Sequence, residues 1–154
     1  MSPSKQLASL GLKLPNVAPP VGSYVPAIRT GNLILTSGQV PFKDGTLRYA
    51  GKVGAEVSLE DARAAAEICV MNGLAAAAQV AGGFDRISRI VRVGVFVASA
   101  PGFTDQPKVA NGASDMLAKI FGDAGKHARA AVGVAELPLN SSVEVELTVE
   151  VVDG

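Results

Sequence analysis

Arg129 is the one charge in an otherwise small, apolar run, Ala128-Arg129-Ala130-Ala131-Val132-Gly133-Val134. A guanidinium in such a strand costs free energy unless a carboxylate or several carbonyls take up its donors. Two readings stay open for it. It is either an edge-strand arginine paired to a neighbouring glutamate, or a planar fork that grips a ligand carboxylate through two parallel hydrogen bonds. Glu144 is the second candidate. It is either a solvated carboxylate on the polar side of a strand or, if that side lines a subunit cleft, a group able to orient or deprotonate a water. Tyr24, after Gly22-Ser23, is either a core ring whose hydroxyl reaches solvent or a hydroxyl available to a site. His127 is expected at the surface, turned to the opposite side of the strand from Arg129.

Other chemistries lack their residues. The single histidine, His127, and the single cysteine, Cys69, lie far apart in sequence, so no zinc cluster or other metal site is expected. Cys69 sits in an alanine-rich stretch and reads as a small buried residue. No GxGxxG, P-loop or GxSxG occurs, and Gly82-Gly83 reads as a helix stop; no cofactor is expected. With 14 basic and 14 acidic residues the chain is formally neutral and has no Lys/Arg cluster. Nucleic-acid binding, which gains affinity by releasing counterions along a basic stripe, is therefore not expected.

The elements that must position these residues follow from periodicity. The 154 residues fit one domain, with residues 1–20 as an N-terminal extension. Ser4 to Leu10 suits a short helix capped by Ser4, and Pro15, Pro19 and Pro20 enforce an extended connector. Tyr24 to Arg29 and Leu33 to Ser37 read as strands around a Gly31-Asn32 turn, with a second turn at Lys43-Asp44-Gly45. Ser58 caps a helix that runs to Gly82. Arg89 to Val97 is a β-branched strand, Pro107 to Phe121 a second helix, and Ala128 to Glu136 and Val143 to Val152 two more strands. In the last strand Val143, Val145, Leu147, Val149 and Val151 alternate with Glu144, Glu146, Thr148 and Glu150. The order ββ-α-β-α-ββ predicts an α+β fold with two helices on one face of a sheet. Hydrophobic residues reach 48% against 18% charged, which raises the expectation that partner subunits cover some surface. No apolar stretch approaches the roughly 20 residues of a membrane span. The first 14 residues do not resemble a signal peptide, and a cytoplasmic, soluble protein is expected.

Two segments resemble a known family. Val21-Gly22-Ser23-Tyr24-Val25 with Gly31-Asn32-Leu33-Ile34-Leu35-Thr36-Ser37-Gly38-Gln39-Val40-Pro41 resembles the N-terminal signature of the Rid/YjgF family. Ala128 to Pro138, followed by Val143-Glu144-Val145-Glu146, resembles its C-terminal signature. The extended N-terminus and the 51–57 segment look like the subgroup once labelled "endoribonuclease L-PSP". The resemblance implies a chorismate-mutase-like α+β fold, a homotrimer with three intersubunit clefts, and hydrolysis of 2-imino acids to 2-keto acids and ammonia without metal or cofactor. It puts Arg129 at the substrate-carboxylate arginine and Glu144 at the glutamate that handles the attacking water. It puts Tyr24 at the cleft tyrosine, Asn111 at an asparagine of the second helix, and Ser37 and Gly38 on the loop lining the cleft. Ala131 departs from the cysteine often found two positions after that arginine. Two other functions compete: a non-catalytic trimer that binds small 2-imino or 2-keto carboxylates, which would need Arg129 but not Glu144, and a ribonuclease, which the neutral charge disfavours.

Overall fold

The computed structural model describes residues 1–20 and 22–153; Val21, the first residue of the N-terminal signature, lies outside them. Its main sheet has five strands: β1 (Ala27–Thr30), β2 (Leu33–Thr36), β5 (Ile87–Ala98), β6 (Ala128–Val134) and β7 (Val143–Val151), ordered β1-β2-β7-β5-β6. All neighbours are antiparallel except β5 and β6. That parallel pair requires a crossover, which helix α3 (Gln106–Phe121) provides. A two-stranded hairpin, β3 (Phe42–Lys43) and β4 (Thr46–Leu47), stands apart. The mixed α+β layout with helices on one face is the predicted one.

The alternation read in the last strand is the burial pattern of β7: its five odd-numbered apolar residues are buried, and its even-numbered polar residues face the other way. The helix α2 (Leu59–Ala81) covers the apolar side. Ser58 Oγ accepts from the Asp61 amide at 3.1 Å, Glu60 and Asp61 occupy the first turn, and Gly82 ends the helix in the left-handed region at φ 83°. Alanines and Gly73 on α2 let the helix lie low on the sheet: a Cβ on Gly73 would come within 2.9 Å of Leu147. Between the helices the approach is closer still. A Cβ on Gly112 of α3 would sit 2.3 Å from the Arg63 carbonyl oxygen of α2. Burying each Val or Leu between these layers contributes about 1.5–3 kcal/mol.

Several boundaries differ from the sequence reading. By length and composition α2 is apolar enough to cross a membrane, contrary to expectation; here 61% of its most apolar window is buried inside the fold. The first helix, α1 (Pro3–Ser9), is capped by Ser2 rather than Ser4. Ser4 instead gives its amide and hydroxyl to Asp85, at 2.8 and 2.6 Å, which holds that carboxyl below its ordinary range. β1 starts at Ala27, not Tyr24, because Pro26 has no N–H to give to a ladder. β6 ends at Val134, leaving Glu136 free to pair with Lys52 at 3.0 Å. The 43–45 turn closes the hairpin through Asp44 and Gly45, both at positive φ.

Candidate functional site

Arg129 leaves edge strand β6 on the helix-covered side. Parallel pairing sets Arg129 beside Val93 and Ala131 beside Val95, and both valines are buried beneath the helices. At the rim, α3 receives the guanidinium. Nη1 donates to Asn111 Oδ1 at 2.8 Å and to Ser114 Oγ at 3.1 Å, while Nη2 reaches the Pro107 carbonyl only at the 3.5 Å limit. The acceptors are neutral, and among the described residues no carboxylate pairs with Arg129. Both Nη1 hydrogens are thus used. The Nε–H and one Nη2–H, which lie along the same edge of the plane, remain available and match the spacing of a carboxylate.

His127 sits on the same side. Residues two apart in an extended chain share a face, so the expectation that His127 turns away from Arg129 is corrected. The ring is half-buried, with Nδ1 2.6 Å from the Gly125 carbonyl oxygen and Nε2 2.8 Å from Ser114 Oγ. Sequence reading paired Asn111 with Arg129 only by resemblance and missed Ser114. The available signal was the three-residue spacing of Asn111 and Ser114, which puts both on one helix face.

Glu144 belongs to the other side of the sheet. Its neighbours Val143 and Val145 are buried beneath α2, so its carboxylate projects from the face the helices leave open. The chain after β2 runs alongside it: Gln39 and Val145 exchange backbone hydrogen bonds of 2.8 and 2.9 Å. Gly38 lies directly against the side chain, and a Cβ there would come within 2.6 Å of Glu144 Oε2. Ser37 donates its hydroxyl to the Val25 carbonyl at 2.6 Å and its amide to that of Pro26 at 2.8 Å, tying this loop to the segment that carries Tyr24. Tyr24 is 48% exposed. Partial burial, then the charge of Glu146, pushes the Glu144 carboxyl above its ordinary range; Glu146 itself pairs with Arg92 at 3.4 Å.

The predicted residues therefore form two groups. Arg129 and Asn111 meet at the β6–α3 rim, Glu144 meets Gly38 on the open face with Ser37 next along the loop, and the sheet lies between the two groups. That open face also exposes Ile28, Leu33, Leu35 and Val132. Cys69 is fully buried beneath it on α2, its thiol directed at the Val143 carbonyl oxygen at 3.6 Å and pushed well above its usual range by burial. Among the described residues no three His, Cys, Asp or Glu side chains gather closely enough to hold a metal ion.

"Protein TCP17" of Trypanosoma cruzi is 42% identical over 145 residues, 94% of this chain and 91% of that protein. A 2-iminobutanoate/2-iminopropanoate deaminase of Dermatophagoides farinae is 28% identical over 146 residues, 95% of each chain. The crystal structure of Atu1372, a protein of unknown function from Agrobacterium tumefaciens, superposes with a TM-score of 0.89 at 42% identity, covering 97% of this chain and 92% of that one. The profile of the family described as "YjgF/chorismate_mutase-like, putative endoribonuclease" matches residues 4–151. With that match spanning nearly the whole chain, from α1 to the end of β7, the protein belongs to the YjgF/chorismate mutase-like family.

Proposed function

We propose that this protein hydrolyses reactive 2-imino and 2-enamino acids to 2-keto acids and ammonia, in clefts formed between three copies of the chain. The observation that carries the reading is the Arg129 fork, held in place by neutral acceptors with its Nε/Nη2 edge open. Neutral acceptors orient the guanidinium, and among the described residues no carboxylate claims its charge. The deaminase activity named for the D. farinae relative supports the same chemistry.

Arg129 and Glu144 leave opposite sides of one sheet, so a composite site needs Arg129 of one subunit and Glu144 of the next. The exposed apolar side chains of the open face, Ile28, Leu33, Leu35 and Val132, are what such a neighbour would cover. In the cleft, the fork fixes the substrate carboxylate and thereby the position of the imine carbon. A water adds to that carbon as its proton passes to Glu144. Glu144 returns the proton to nitrogen; as the C–N bond breaks and the C=O forms, the carbinolamine hydroxyl gives its proton to Glu144, which passes it to the departing ammonia, and the keto acid is released. A carboxyl raised toward neutrality is better suited to take and return that proton than an ordinary one. Orientation supplies much of the acceleration, because a protonated imine carbon is already electrophilic.

The test is ammonia release from 2-iminopropanoate generated in situ. The protein should accelerate it and Arg129→Ala should not; equal rates for wild type, variant and buffer would sink the deaminase reading. A chain that remains monomeric by light scattering would remove the composite cleft. A ribonuclease fits the electrostatics poorly: on the open face Glu144, Glu146 and Glu150 stand among Arg89 and Arg92, a mixed surface with no basic stripe for a polyanion.

A further inference from the structure

The contacts behind Arg129 form a directed chain whose polarity can be worked out. The Gly125 carbonyl can only accept, so His127 Nδ1, 2.6 Å away, must carry a proton. In the neutral ring Nε2 is then bare and can only accept, so the Ser114 hydroxyl, at 2.8 Å, must donate to it. With its one hydrogen committed, Ser114 Oγ turns a lone pair toward Arg129 Nη1 at 3.1 Å. Asn111 takes the other Nη1 hydrogen at 2.8 Å. Removing His127 would free the Ser114 hydroxyl to rotate and aim its hydrogen at the guanidinium.

We infer that Ser114 and His127 are positioning residues for Arg129, a relay running from the Gly125 carbonyl that fixes the guanidinium plane and so sets carboxylate affinity. The inference rests on the carboxylate-binding reading of Arg129 but not on turnover. It implies a division of effect. Breaking the relay loosens the fork without touching Glu144, so carboxylate affinity falls even for a ligand that undergoes no reaction.

Because His127 is the only histidine, its ring nitrogens give unambiguous ¹⁵N signals, and they test the relay directly. At a pH where the ring is neutral, the expected pattern is Nδ1–H with unprotonated Nε2; an Nε2–H ring would overturn the proposal. Pyruvate, the product of 2-iminopropanoate hydrolysis, is the binding probe. Ser114→Ala and His127→Phe should each weaken it roughly tenfold, with at least a matching fall in kcat/KM. Ser114→Thr, which keeps the hydroxyl, and His127→Gln, whose amide oxygen can replace Nε2 as acceptor, should stay within about threefold of wild type. Folded Ser114→Ala and His127→Phe proteins that bind pyruvate as tightly as wild type would overturn the relay. If wild type binds pyruvate but turns over no imine, the deaminase reading fails and the relay is still judged by these affinities. If wild type does not bind pyruvate, the carboxylate reading and the relay's effect on affinity fail together, whatever the tautomer.

Discussion

The two ends of the candidate chemistry are built by opposite means. At the β6–α3 rim a full positive charge is exposed and surrounded by neutral acceptors, Asn111, Ser114 and the Pro107 carbonyl. On the open face of β7 a carboxylate is half-buried beside a second carboxylate and a glycine, and its proton is held more tightly than usual. The first arrangement preserves a charge for binding. The second makes a charge easier to neutralise, as proton transfer needs. Separation by the sheet keeps the two from collapsing into a salt bridge within one chain, which would spend both.

The largest effect should come from removing the charge at the rim. Arg129→Ala is expected to lower kcat/KM for 2-iminopropanoate by at least about 10²-fold, the loss of two charge-assisted hydrogen bonds, while circular dichroism and melting temperature stay near wild type because the side chain is exposed. The comparison is sharpened by mixing inactive chains. Arg129→Ala and Glu144→Gln proteins, denatured and refolded together, should regain about a quarter of wild-type activity, because about one cleft in four then combines an intact arginine from one subunit with an intact glutamate from the next. No regain would mean that the two groups do not share a cleft across subunits. Gly38→Ala strikes the open-face group alone. Its Cβ would force the Glu144 carboxylate aside, so kcat should fall roughly tenfold while pyruvate affinity, read by titration, holds.

The smallest effect is on stability and depends on pH. The fold holds the Glu144 proton more tightly than the unfolded chain does, so stability is lost as pH rises from the ordinary carboxylate range through the raised value, and stays lost above it. Glu144→Gln has no such loss. Thermal melts should coincide in acid, with the variant about 1–3 °C more stable at neutral pH; a variant less stable at neutral pH would contradict the direction of the shift.

Much of this was legible in the sequence where one period governs the chain. β7 alternates because one face is buried along its whole length, and α2 announces itself through Ser58 and Gly82. Legibility failed where a local hydrogen bond or a proline overrode the pattern. Ser4 looks like a cap but serves Asp85, 81 positions away, and Pro26 excludes Tyr24 from the ladder that its β-like neighbours suggest. The hairpin strands β3 and β4 are two residues each, too short for any periodicity, so only their turn could be read. At the site, Arg129 stood out as a lone charge among small residues. Its supports, Ser114 and His127, did not, because neither is unusual in its own segment and only the packing of α3 against β6 brings them together.

Gly112 stands between Asn111 and Ser114 in sequence, on the part of α3 pressed against the α2 backbone. The missing side chain there acts as a spacer of zero thickness: the depth at which α3 rides over the sheet, and therefore the height at which it meets the guanidinium, is set by a residue that no ligand could touch. Relatives that carry a larger residue at this position would have to lift the helix, moving both acceptors relative to Arg129. Divergence in ligand size within the family could thus arise from the buried seam between two helices, with every residue in the cleft unchanged.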